Sequence, residues 1–319
     1  MKKTICLVVA LLFAMNVSAD HNTLSAWNEY NDKKFTKRLS FISNLQYTEK
    51  MFKKFKLTDE EIPKLKRVGV LGLSMYQPTA GYKAGNSIYT PYFTEAGEIY
   101  FLDKLYTPTL QPMKEAFAEQ GIELLMPAEF LDTPQKRTMF ENTEFEMSGL
   151  FKTIEALQSR IRAASTSPVK SSYEGTKFIG QIHADPKVWR EVGKFAGDIG
   201  LDAVLVVETQ MAHNGGAAIL QSVNMTLAGP NSVPYNKEHE NYYAPFGPLK
   251  GYLEGIIYGA LTGTSPKGGM LFAAIHKGKV HDLRDQDVGV VYGRIAKQLL
   301  LETNNEIAKL QNIAQKNAK

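Results

Sequence analysis

Cysteine is nearly missing from this sequence: among 319 residues only Cys6 is one. Cys6 sits inside an apolar run from Ile5 to Met15, after Lys2 and Lys3 and before the small residues Val17-Ser18-Ala19. That arrangement reads as a secretory signal peptide over residues 1–19, its apolar run too short for a membrane span. Thr4-Ile5 are not the small residues expected before a lipid-attachment cysteine. The expected mature chain, residues 20–319, therefore has no thiol, which excludes disulfides, thiolate metal sites and a cysteine nucleophile. Net charge is also scarce. It is +4 for the whole sequence and falls to +2 without Lys2 and Lys3, too little to imply a nucleic-acid partner.

Signature motifs are missing as well. No Gly-x-Ser-x-Gly, His-Glu-x-x-His or paired Rossmann glycines occur. Gly259 to Gly269 invites a phosphate-loop reading, but Lys267 stands at the wrong distance from Gly263 and no Ser or Thr follows it. No cofactor and no catalytic residue are expected, so the reaction, if there is one, stays unassigned and a non-enzymatic role is favoured. A thiol-free exported chain places the protein in a bacterial cell envelope, periplasmic or associated with the outer membrane.

What is present centres on residues 185–228. Asp185-Pro186 suits a helix start, and Val188, Val192, Phe195 and Ile199 recur at the spacing of one buried face. Gly200 supplies the left-handed residue that ends such a helix. Ala203-Val204-Leu205-Val206-Val207 then reads as a strand covered on both faces. After a turn at His213-Asn214-Gly215-Gly216 the chain returns through Ile219, Val223, Met225 and Leu227, alternating with polar residues in the latter half.

Around that unit, residues 20–66 form an expected N-terminal helical segment, with Phe35, Leu39, Ile42, Leu45, Phe52 and Phe55 at broadly helical intervals among lysines. The lysines suit peripheral contact with anionic lipid, or simply a solvated helix face; the second is favoured. Residues 67–319 form the α/β domain, opening with a core strand at 67–73. Residues 76–106, with six tyrosines, read as an insertion. Thr107-Pro108 opens the next expected helix, 122–126 a strand and 148–164 a helix, and Ser165 to Ser172 a linker. A polar loop spans 229–250. Gly251, Gly255, Gly259 and Gly263, spaced by four, read as close-packing positions on a helix or in a glycine-rich loop. A hairpin around Lys277-Gly278 and a terminal helix from Val288, fraying after Asn304, close the chain. The expected class is α/β: a single three-layer domain with a mixed central sheet, an N-terminal helical segment and a C-terminal helix.

Tyr82, Tyr89, Tyr92, Tyr242, Tyr243 and Phe246 are the candidate binding surface, because tyrosine offers apolar area together with a hydroxyl. Against that, aromatic residues in an insertion also serve simply to pin it down. No metal is expected. The fallback pair is His183 and His213, which flank the central helix and strand, though Asp185 beside them is already accounted for as a cap. His276, His281, Asp282, Asp285 and Asp287 form a second polar cluster, expected before a helix on electrostatic grounds.

Gly200-Leu201-Asp202-Ala203-Val204-Leu205-Val206 and the late Gly278 turn resemble the small α/β domain of the curli-secretion-channel family and of the amino-terminal domain of the Tol-system propeller protein. The chain departs from it in having no lipid-anchored cysteine, a long 76–106 insertion and no clean pair of membrane-spanning hairpins. The resemblance implies an envelope assembly or accessory role with a protein partner, and leaves room for a homo-oligomer. A periplasmic solute-binding protein and a metal-dependent hydrolase are the alternatives.

Overall fold

The computed structural model describes residues 29–37, 39–43, 49, 52–53, 56, 58–62, 65–77, 83–84, 87–88, 95–145, 169–179, 186–214, 217–229, 243–244, 247–248, 257–262, 270–276, 279–283 and 288–319. The strands are β1 (Leu39–Ser43), β2 (Arg67–Gln77), β3 (Lys83–Ala84), β4 (Ser87–Ile88), β5 (Glu123–Leu125), β6 (Val169–Ser172), β7 (Ala203–Asn214), β8 (Ala217–Ala228), β9 (Tyr243–Ala244), β10 (Gly247–Pro248), β11 (Ile257–Thr262), β12 (Met270–His276) and β13 (Lys279–Leu283). The helices are α1 (Asp32–Thr36), α2 (Glu95–Ala118), α3 (Pro127–Phe130), α4 (Pro134–Asn142), α5 (Pro186–Asp198) and α6 (Val288–Asn317).

Nine strands form one mixed sheet with the main order β1-β11-β8-β7-β2-β5. β2 pairs parallel with β5 on one side and with β7 on the other, and β7 turns back into antiparallel β8. The run 203–207 is thus central, as its unbroken apolar sequence requires. Asp202 fixes its start. The Asp202 carboxylate accepts from the amides of Lys66 and Arg67 at 2.8 and 2.9 Å, tying the beginnings of β7 and β2 together.

Alternation along the strands builds two apolar clusters on opposite faces. Val68, Val70, Leu205, Val207 and Met225 join residues of α2 and α6. Leu71, Val204 and Val206 join Val188, Val192, Phe195 and Ile199 of α5. The stripe read from the sequence is therefore the buried face of α5, and Gly200 ends that helix at φ +76°. Gly121 does the same after α2 at φ +70°.

Helices α2 and α6 meet through an unusual contact. Pro108 and Pro112 lie inside α2. Pro112 has no N–H, so the Pro108 carbonyl loses its helical donor. That oxygen faces α6 at Gly289, where a Cβ would come within 2.2 Å of it. A Cβ at Gly293 would meet Pro112 Cβ at 2.9 Å. Two prolines four apart thus seat against two glycines four apart. Lys297 Nζ–Glu119 Oε2 at 2.7 Å and Asn304 Nδ2–Gln120 Oε1 at 2.9 Å continue the contact with both helices running the same way.

Several expectations are corrected. The 20–66 segment is not uniformly helical: α1 is five residues long and Leu39–Ser43 is an edge strand antiparallel to β11. Short apolar patterns fit either period, and the open edge of β11 decided the outcome. Helix α2 begins at Glu95 rather than at Thr107-Pro108, so residues 95–106 leave the insertion, and a proline read as a start is an interior one. β3 and β4 pair as a short hairpin within the remainder of the insertion. Residues 169–172 of the expected linker form β6, which pairs with the end of β2. The final helix does not fray after Asn304. It runs to Asn317 and buries Glu306, Leu310 and Ile313. The expected helix at 148–164 lies outside the described residues.

The N-terminal segment straps across α6. Phe35 is fully buried, with the Arg294 guanidinium 4.1 Å from its ring centre. Arg294 also donates to the Tyr30 carbonyl at 2.6 Å and to Asp32 at 3.2 Å, and Thr36 Oγ1 donates to Gln298 at 3.0 Å. Further on, Asn317 Nδ2 donates to the Phe52 carbonyl at 2.9 Å.

Candidate functional site

Beyond the first half of β2 and β7 the buried faces stop being purely apolar. Ser74, Glu208, Thr209, Asn224 and Thr226 are all buried there. β2 and β7 are neighbouring parallel strands: the chain runs from β2 on to α2, on one face, and enters β7 from α5, on the other. In open α/β sheets ligands are commonly bound outside the carboxyl ends of parallel strands.

On the α2/α6 face the position is occupied by two tyrosines. Tyr106 of α2 and Tyr292 of α6 are fully buried, with rings edge to face at 6.1 Å. Tyr106 Oη donates to the Ser74 carbonyl at 2.6 Å. Thr209 Oγ1 lies 2.9 Å from Tyr106 Oη and 2.7 Å from Tyr292 Oη. Each hydroxyl has one proton, and a carbonyl can only accept. The proton of Tyr106 is committed to Ser74, so Thr209 donates to Tyr106 and Tyr292 donates to Thr209. The result is a single directed chain, Tyr292 to Thr209 to Tyr106 to the backbone of β2, whose bonds polarise one another. It ties both helices to the sheet. Burial raises both phenols well above the usual phenol range, and for Tyr106 the like charges of Tyr292 and Glu208 act in the same direction. Both stay neutral hydrogen-bonding groups, unsuited to act as bases. Thr109 Oγ1 donates to the Tyr106 carbonyl at 2.7 Å and steadies that turn of α2.

On the opposite face, Glu208 and Asn224 are register partners, and Asn224 Nδ2 donates to Glu208 Oε1 at a long 3.4 Å. Two residues along β8, the buried Thr226 hydroxyl makes no hydrogen bond among the described residues. Ser74 Oγ donates to the Val207 carbonyl at 3.3 Å.

The residues singled out from the sequence fall elsewhere. Tyr82, Tyr89, Tyr92, Tyr242 and Phe246 lie outside the described residues, and Tyr243 is in β9, paired with Pro248 of β10. His183 lies outside them too. His213 is a strand residue opposite Ala218, so the turn is shorter than expected, and the fallback metal pair is not brought together among the described residues. Of the glycines, Gly251, Gly255 and Gly263 are not described. Gly259 is in β11, between Phe41 of β1 and Met225 of β8. At 257–262 a strand therefore replaces the expected helix or glycine-rich loop, because β8 presents an open ladder there. The spacing-of-four glycines that do pack closely are Gly289 and Gly293. Among the described residues no group of three His, Cys, Asp or Glu side chains could hold a metal ion, and no helix is long and apolar enough to cross a membrane.

Sequence reasoning missed Tyr292 and assigned Tyr106 to a loop. The signal for Tyr292 was its place at i+4 from Val288, on the same stripe as Val291 and Ile295. A tyrosine on a buried stripe demands a partner for its hydroxyl. No protein-family model, curated protein or solved structure matches this chain.

Proposed function

We propose that this is an exported, non-enzymatic accessory or assembly protein of the cell envelope, periplasmic or outer-membrane associated, that acts through protein contacts. In this reading residues 67–319 form a single three-layer domain whose outward surfaces, not an internal cleft, carry the activity. The observation that supports it is the filled space over the later halves of β2 and β7: Tyr106 and Tyr292 are buried there, and their hydroxyls are spent on Thr209 and Ser74. Meanwhile Ile99 and Tyr100, at the start of α2 beside the tyrosine-rich stretch, are 65% and 48% exposed. Adjacent exposed aliphatic and aromatic side chains suit a protein contact.

The test is photo-crosslinking in cells. A crosslinking residue at Ile99 or Tyr100 should give a discrete adduct with an envelope protein, and one at the exposed Asp198 should not. Recovery of the protein in the cytoplasmic fraction would defeat the reading. So would a small solute that raises the melting temperature of the purified protein by several degrees, because selective ligand binding stabilises the native state.

A further inference from the structure

We draw no further inference here: the strongest candidate, the buried side-chain cluster of Glu208, Asn224 and Thr226 on the α5 face of β7 and β8, belongs to the site already described, and nothing among the described residues shows a ligand or partner that it would serve.

Discussion

Strand β7 feeds both faces of the sheet, and the two faces treat its polar residues differently. Thr209 points to the α2/α6 face, where two tyrosines close its hydrogen bonds into a directed chain that ends on the β2 backbone. Glu208, one residue earlier, points to the α5 face, where Asn224 approaches at 3.4 Å and the neighbouring Thr226 hydroxyl bonds to nothing among the described residues. The backbones also differ in how closely they approach. Helices α2 and α6 touch through prolines and glycines, whereas α5 meets the sheet through side chains such as Val192 and Phe195. Both faces bury an apolar cluster, and the α2/α6 face adds close backbone contact and a directed hydrogen-bond chain. The α5 face relies on apolar area without such a chain, and apolar packing tolerates rearrangement better than a directed network does.

The comparison breaks most readily at the helix crossing. Gly289→Val places a branched side chain where even a Cβ would sit 2.2 Å from the Pro108 oxygen, so backbone must move. A loss of about 3 kcal/mol or more is expected in urea unfolding, at the upper end of overpacking effects. Ala at the open, positive-φ Gly121 should cost only about 1 kcal/mol.

Next comes the hinge of the hydroxyl chain. Thr209→Val removes the acceptor of Tyr292 and the donor to Tyr106 at nearly constant volume, and should cost about 2–3 kcal/mol. The direction of the chain sharpens this further. Tyr106→Phe removes both the donor to the Ser74 carbonyl and the acceptor of the Thr209 proton, so it should cost about 2 kcal/mol. Tyr292→Phe leaves Thr209 still donating to Tyr106 and should cost about 1 kcal/mol. Equal losses would mean that the protons run otherwise.

The same two phenols set an alkaline limit. The folded state raises both pKa values, so it keeps protons that the unfolded chain releases above a pH of about 10. Stability is then fully present below that pH and declines as the pH rises above it. Denaturant midpoints measured from pH 9 to 11 should fall for the parent chain, and fall less steeply for the Tyr106→Phe, Tyr292→Phe double variant. On the α5 face the effect is smallest and opposite in sign. Thr226→Val exchanges an unbonded buried hydroxyl for a methyl group and should stabilise by up to about 1 kcal/mol. A measured loss there would show that the hydroxyl is bonded after all.

The central unit was legible because each of its signals agreed with the others. The stripe Val188, Val192, Phe195, Ile199, the stop at Gly200 and the run 203–207 all describe one helix passing into one buried strand. The candidate site was not legible, since Ser74, Tyr106, Thr209 and Tyr292 lie far apart in the chain and each, alone, is an ordinary residue. Pro108 misled for a related reason. A proline inside a helix is expensive, and the space taken by the Pro108 carbonyl that Pro112 frees is given by Gly289, which stands in a different helix. The glycines at 251–263 carried the spacing, but spacing does not say which ladder is open: β11 became a strand because β8 and β1 paired with it.

By itself, then, the sequence determined the pieces whose burial pattern is local: α5, β7 and the β7–β8 hairpin. Periodicity and cap chemistry act over a few residues, and nothing distant contradicted them. Tertiary structure alone decided the strand at 257–262, the edge pairing of β1, the full length of α6 and the meeting of two tyrosines over one threonine. Those outcomes depend on which hydrogen-bonding groups and backbone surfaces are left open once the centre has formed. That is a property of the assembled sheet and not of any stretch of chain.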